Sequence, residues 1–236
     1  LEGPAESAVV AENRSAQRAI RECMRELHQM TLTEDRSAPE AEQTAAAKSA
    51  ARHAMIVSQL RTSGVNEPWV LSTMAHVARE DYVPETLRDA AYIDRAIPLG
   101  NGRFLAAPLV HGKMLAEAAP TKTDRVLLVG DAEGYLAALL RPLVGTLDAV
   151  DPSAVSSLSG EGVYSLIIVD GAVEEFPEVL GRQLAEDGRI VTGLVVRGVS
   201  RLATGCKAAG SVSLLPLAEL GIPALPEFAA PKRWSF

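Results

Sequence analysis

Cysteine is nearly absent, with only Cys23 and Cys206 among 236 residues. Two thiols are too few for a disulfide framework, and they lack the paired spacing of a zinc site, so both read as reduced thiols with no metal. No apolar run approaches the ~20 residues that a bilayer-spanning helix needs. The N-terminus also lacks the basic-then-apolar order of a signal peptide, so a cytoplasmic location and no membrane association are the default expectations. Positive charge is in deficit: 23 Lys and Arg stand against 30 Asp and Glu, a net charge of −7. That balance argues against whole-surface attraction to nucleic acid. An initiator methionine is missing too, and Leu1-Glu2-Gly3-Pro4 is set aside as a candidate cloning remnant. No internal repeat is visible.

What is present suits one α/β domain of ordinary size with an appendage. The first 45 or so residues are rich in Ala, Glu, Arg, Ser and Gln and read as a helical extension and linker, with the main domain over 46–236. Asn13 or Ser15 can cap a helix on which Ile20, Cys23, Met24, Leu27 and Met30 form one apolar stripe. The stripe serves either packing on the chain's own domain or a protein partner, self-association included. Thr31 to Gln43, with Pro39, reads as a linker, and helix returns from Ala45 through Arg61. Alternating strands and helices follow. Arg125–Val129 is a strand ending on Gly130, with a helix over Tyr135–Leu143 behind it. Further strands are expected at Thr146–Val150, before Asp151, at Tyr164–Val169, before Asp170, and from Arg189 to Val196. A helix over Glu174–Leu184 closes at the turn signal Asp187-Gly188. Val199–Leu217, broken by Cys-Lys-Ala-Ala-Gly, reads as an antiparallel edge hairpin. The fold class expected is α/β: a Rossmann-like, mostly parallel sheet with an antiparallel C-terminal hairpin.

Four segments carry a family resemblance. They are Ser58-Gln-Leu-Arg-Thr-Ser-Gly-Val65 with Val70-Leu-Ser-Thr-Met-Ala-His-Val-Ala-Arg-Glu-Asp-Tyr-Val-Pro84, then Ala91-Tyr-Ile-Asp-Arg-Ala-Ile-Pro-Leu-Gly-Asn-Gly102, the glycine loop after Val129, and Gly188-Arg-Ile-Val191 with its hairpin. Together they resemble protein-L-isoaspartate O-methyltransferases over most of 52–217. The resemblance implies a methyltransferase sheet, S-adenosylmethionine as methyl donor, and the carboxylate of an L-isoaspartyl residue as acceptor. It also implies that Gly130, Asp131, Ala132, Gly134 and Asp151 lie at the cofactor, with Asp151 on the ribose hydroxyls, and that Asp94 borders the acceptor pocket.

Three departures stand against this pattern. The family's acid-x-Gly-x-Gly-x-Gly loop has Leu128 for the acid and Ala132 for the middle glycine, with Gly130 and Gly134 retained. A Cβ at Ala132 is costly if that position needs φ > 0, and Asp131 and Glu133 bring like charge towards the cofactor's carboxylate. Only the 12 residues Pro152–Val163 lie between Asp151 and the next strand, where the family has a helix, an edge strand and another helix that shape the adenine pocket. The sheet is therefore expected to be shortened by an edge strand. Finally, Phe104-Leu-Ala-Ala-Pro108 puts Ala106 where the family's acceptor-side serine stands. Three losses in one pocket predict a pseudoenzyme, with lost or greatly weakened catalysis and a binding or regulatory role. The alternative is an active S-adenosylmethionine-dependent methyltransferase acting on L-isoaspartyl or another carboxylate. The four histidines, His28, His53, His76 and His111, are scattered and read as surface or packing residues. Pro231–Phe236, with Trp234 and Phe236 beside Lys232 and Arg233, is either a docking tail or a segment folded back on the core.

Overall fold

The computed structural model describes residues 40–231. The expected helix over 13–30, most of the linker and the tail beyond 231 lie outside the described residues. The chain divides into two units, 1–49 and 50–236, and the fold below concerns the second.

Helix α1 (Glu40–Met55) runs on into a π-helical turn, Ile56–Leu60, so helix begins before Ala45 and takes up the end of the expected linker. Helix α2 (Pro68–His76) and helix α3 (Pro108–Ala118) both start on proline, whose missing N–H costs nothing in a first turn. Between them, 3₁₀ turns at Arg79–Tyr82 and Glu85–Ala90 lead into a small hairpin, β1 (Ile97–Gly100) and β2 (Arg103–Leu105).

The main sheet has six strands in the order β4-β3-β5-β6-β7-β8: β3 (Arg125–Val129), β4 (Thr146–Val150), β5 (Tyr164–Val173), β6 (Leu184–Val196), β7 (Val199–Ala208) and β8 (Ser211–Glu219). The first four are parallel, and β7 and β8 are antiparallel additions. The α/β expectation with a C-terminal hairpin therefore holds. Both faces of the central strands are covered. Val126, Leu128, Leu166 and Ile168 face one cluster with α3 and helix α4 (Tyr135–Leu140), while Leu127, Val129, Ile167 and Val169 face a second with Leu180 and Phe228. Strands buried on both sides must be apolar at successive positions, as β3 and β5 are. Both hairpin turns have two residues at positive φ, Arg197-Gly198 and Ala209-Gly210, which matches the twist of antiparallel partners. The expected Cys206–Gly210 turn thus contracts to two residues.

Four other boundaries move for physical reasons. Strand β5 does not stop before Asp170 but continues to Val173 through a register shift between Ile168 and Ala172. The extension is paid for by the C-terminal segment, because Ala172 N–H donates to Pro223 O at 2.8 Å and Leu225 N–H to Ala172 O at 2.8 Å. The helix expected from Glu174 begins only after Pro177, as helix α5 (Glu178–Gln183), since the Glu174 and Glu175 amides are captured by Phe228 O. Strand β6 starts at Leu184, and Asp187 (φ 61) with Gly188 forms a bulge inside it rather than a turn before it. Helix α4 ends at Leu140, just ahead of Pro142, which has no N–H to continue it. On the other side of the sheet, β4 is the edge strand, and a 3₁₀ segment, Pro152–Ser157, leads back towards β5. Its Val155 packs into the second cluster, which fastens the short crossover.

Candidate functional site

The C-terminal ends of β3 and β4, the β1–β2 hairpin and the segment around Pro223 enclose a cavity of about 540 Å³. That is where ligands collect on an open parallel sheet, outside the carboxyl ends of its strands.

The loop after β3 forms one wall. Gly130 N–H donates to Val150 O at 2.9 Å, and Gly134 N–H to Asp131 O at 3.1 Å, which pins a tight turn into α4. Close approach explains both glycines: a Cβ at Gly130 would stand 3.1 Å from Asp170 Cβ, and one at Gly134 3.0 Å from Asp131 Cβ. Ala132 is not among the residues of positive φ. The feared backbone penalty is therefore absent, because the turn passes position 132 in a conformation alanine adopts freely. The like-charge concern also weakens. Arg141 reaches back from the end of α4 to Glu133 Oε1 at 2.9 Å and to Ala132 O at 2.6 Å, while Asp131 Oδ1 accepts the Glu133 amide at 2.9 Å. Gly130, Asp131, Glu133 and Gly134 line the cavity, whereas Ala132 does not.

Asp151 lines it as well. Its Oδ1 accepts from Ser153 Oγ at 2.5 Å and Ser153 N at 2.9 Å, and these bonds hold its carboxyl below the usual carboxylate range, helped by the charge of Arg103. Its Oδ2 meets only Arg103, at 3.5 Å. Arg103 in turn bridges to Glu227 at 2.8 Å, so one guanidinium fastens the β1–β2 hairpin to both Asp151 and the C-terminal segment. Leu99 and Phe104 on that hairpin are exposed hydrophobics at the cavity rim.

Beneath the cavity lies a buried polar chain. Arg79, with no exposed surface, donates to Ala91 O at 2.7 Å, to Ala106 O at 2.5 Å and to His111 Nδ1 at 3.3 Å. A guanidinium only donates, so Nδ1 accepts and the ring hydrogen sits on Nε2, which is directed at Asp170 Oδ1 at 3.1 Å. Burial pushes Arg79 down to about 10, with the nearby Tyr135 and Asp170 acting against that shift, and it stays charged at neutral pH. Tyr135 is only 1% exposed. Its ring packs against Tyr82 and His111 with centroids 5.5 Å away in each case, and the Arg79 guanidinium lies over its face at 5.0 Å. Its hydroxyl is buried without a hydrogen-bond partner, and burial pushes its ionisation well up. A second cluster ties α1 to the Ala91–Gly102 segment. Arg52 donates to the Tyr92 hydroxyl at 2.7 Å and pairs with Glu80 at 3.2 Å, while Tyr92 donates to Glu80. Burial, followed by the bond to Glu80, pushes Tyr92 up to about 12.

The expected site residues thus divide. Gly130, Asp131, Gly134 and Asp151 converge on one cavity. Asp94 is exposed and outside its lining. Ala106 is buried at 2% exposure, also outside the lining, with its carbonyl held by Arg79. Arg79, His111, Tyr135 and Asp170 were not anticipated as a group. His111 left little signal, because it stands beside Gly112 and the cationic Lys113 and reads there like a surface position. His53 and His76 are exposed, as expected of surface histidines. Among the described residues, no cluster of three or more His, Cys, Asp or Glu is placed to hold a metal ion, and no helix is long and apolar enough to cross a membrane.

A Rossmann-like sheet with an antiparallel C-terminal hairpin and a glycine turn facing a strand-end acid is the architecture of methyltransferases. A solved protein of this kind, described as a putative protein-L-isoaspartate O-methyltransferase from Plasmodium falciparum in complex with S-adenosyl-L-homocysteine, matches with a TM-score of 0.59 at 19% identity, over 73% of this chain and 97% of that one. A family model for Protein-L-isoaspartate(D-aspartate) O-methyltransferase matches residues 51–151. Protein-L-isoaspartate O-methyltransferase 2 of Anaeromyxobacter sp. (strain Fw109-5) is 32% identical over 182 residues, covering 66% of this chain and 71% of the relative. The Koribacter versatilis (strain Ellin345) enzyme is 32% identical over 165 residues, covering 59% and 74%. The chain belongs to the protein-L-isoaspartate O-methyltransferase family.

Proposed function

We propose that this member keeps a ligand cavity at the cofactor position of the fold, but transfers methyl groups to isoaspartyl carboxylates poorly or not at all, and acts through binding. The observation that carries this reading is Ala106. At the position of the family's acceptor-side serine stands a buried methyl outside the cavity lining, its carbonyl committed to Arg79. Methyl transfer to a carboxylate oxygen depends chiefly on positioning the acceptor, and a lost polar anchor removes part of that positioning.

On the donor side the residues suit S-adenosylmethionine. A cavity of about 540 Å³ lies within the ~300–1,000 Å³ of small-molecule sites. Gly130 and Gly134 permit close backbone approach, and Asp151 Oδ2 is open to hydroxyl donors once Arg103 yields. When bound, the group would supply an electrophilic methyl. The short Pro152–Val163 crossover leaves no room in sequence for the family's adenine-shaping unit, which favours weakened affinity. Asp131 and Glu133 add negative charge to the rim, moderated by Arg141.

Assembly of Gly130, Gly134 and Asp151 on one cavity favours a second reading: an active S-adenosylmethionine-dependent methyltransferase with an acceptor carboxylate other than isoaspartyl. Incubating the full chain with methyl-labelled S-adenosylmethionine and either an isoaspartyl peptide or a mixture of folded proteins separates the two. The first reading expects no base-labile methyl ester on either. Ester on the protein mixture alone supports the second reading, and turnover on the isoaspartyl peptide overturns the first.

A further inference from the structure

A groove of about 510 Å³ lies between α5 and the β7–β8 turn, away from the ligand cavity. Phe176, Gly181 and Val212 form its bed, and Glu178, Arg182 and Ser211 border it. Phe176 and Val212 pack at the margin of the second core cluster, so the bed is an open, apolar edge of that core. Gly181 keeps it open: a Cβ there would stand 3.3 Å from Val212 Cγ2 and 3.8 Å from Phe176 Cε1. Glu174, Glu175 and Glu178 are all exposed at the Phe176 end, and Arg182 is exposed one helical turn further on. The C-terminal segment arrives at this same end. Phe228 packs in the second cluster with Leu180, its carbonyl accepts the amides of Glu174 and Glu175 at 3.0 and 3.1 Å, and Ala230 N–H donates to Glu174 Oε2 at 2.8 Å. Ala230 is thus anchored beside Glu174, two residues ahead of Phe176.

We propose that Lys232–Phe236 docks in this groove of its own chain, with Trp234 on the bed of Phe176 and Val212 and the two cations facing Glu175 and Glu178. The reach is sufficient. Four extended residues from Ala230 to Trp234 span ~13 Å, while Glu174 and Phe176 are at most ~7 Å apart. The order of the chemistry also agrees. Lys232 and Arg233 precede the aromatic residues, so the cations meet the glutamates first and the indole meets the apolar bed beyond them. An indole covers a large apolar area with only two torsions to fix, which makes tryptophan an effective anchor. Arg182, at the border, offers its guanidinium to the indole face. The docked tail is a strap. It fastens the segment whose Pro223 and Leu225 line the ligand cavity and whose Glu227 holds Arg103. The inference is independent of methyl transfer.

Fluorine NMR on the full chain labelled with 5-fluorotryptophan tests it, because Trp69 and Trp234 are the only tryptophans. Trp234→Phe identifies the second signal by its loss. That signal is expected away from the free-indole position and shielded from a soluble paramagnetic agent. Gly181→Met, which fills the bed at a residue of ordinary φ, and the pair Glu175→Lys with Glu178→Lys, which repels the cations, are each expected to expose it in a folded chain. Ending the chain at Pro231 is expected to lower the melting temperature by about 2–4 °C. The cost of the glutamate pair is expected in the full chain and not in the shortened one. Amides of Ala172 and Leu225, which join the segment to β5, are expected to exchange faster once the tail is gone, and unchanged exchange overturns the strap. A Trp234 signal at the free-indole position and open to the agent overturns the docking, as does protection that persists in both groove variants. Protection that appears only as protein concentration rises assigns the groove to the tail of a second copy and overturns docking within one chain.

Discussion

Arg79 shows how one residue couples the site to the fold. Its guanidinium holds the carbonyls of Ala91 and Ala106 and the ring of His111 from wholly buried positions. Arg79→Met would leave all three acceptors buried without a donor, and Asp170 without its compensating charge. A loss of about 3–5 kcal/mol in chemical denaturation is expected, the scale of breaking a buried charged network. Asp124 plays a comparable part at the other end of β3. Burial opposes its charge, but hydrogen bonds from Arg189, Ser165 and Thr121 prevail and hold its carboxyl far below the usual range. A depressed carboxylate contributes stability that is fully present above its unfolded value near 3.9 and is lost as pH falls towards its folded value. The wild type should therefore lose stability steeply below about pH 4. Asp124→Asn should be about 2 kcal/mol less stable at pH 7 and show a flatter acid limb, as checked by denaturation curves at several pH values. Neither residue announced itself in the sequence. A buried arginine reads there like a surface one, because its partners are backbone carbonyls that leave no trace in the pattern of side chains.

At the scale of elements, the β1–β2 hairpin is one wall of the cavity. Ile97 and Leu105 seat it in the core, and Arg103 adds a bridge between partly exposed groups of the kind worth under about 1 kcal/mol. Arg103→Ala should leave the melting temperature nearly unchanged while speeding limited proteolysis within Leu99–Phe104, and it should raise affinity for ribose-bearing ligands by releasing Asp151 Oδ2. Unchanged cleavage would show that the hairpin is fastened by other contacts. Elements were legible where local pattern decides them. Strands β3 and β4 begin and end where expected, at Arg125–Val129 and Thr146–Val150, each closed by Gly130 or Asp151. The extension of β5 and the late start of α5 were not legible, since they depend on Pro223 and Phe228, which return from the far end of the chain to capture amides of Ala172, Glu174 and Glu175. The site followed the same rule. Gly130, Gly134 and Asp151, named through the family resemblance, line the cavity, but Asp170 was placed past a strand that in fact continues through it, and the structure removed the expected strain at Ala132.

For the whole molecule, the described part of the second unit carries a six-stranded sheet with a core on each face. We propose that the apolar stripe from Ile20 to Met30 serves association with a partner protein or a second copy. Deleting residues 1–39 is then expected to lower the oligomeric state in light scattering while shifting the melting temperature by no more than about 2 °C. A large loss of stability with unchanged assembly would point to packing on the chain's own domain instead. The fold and family are those of an isoaspartyl methyltransferase, and the glycine turn passes Ala132 without a positive φ. The weight of the functional reading therefore falls on the acceptor side, where Ala106 offers no polar group. The most direct test is methyl transfer by the full chain from labelled S-adenosylmethionine to a synthetic isoaspartyl peptide, followed by base-labile release. No transfer above the rate without protein is expected, whereas sustained turnover that scales with protein concentration would contradict the reading.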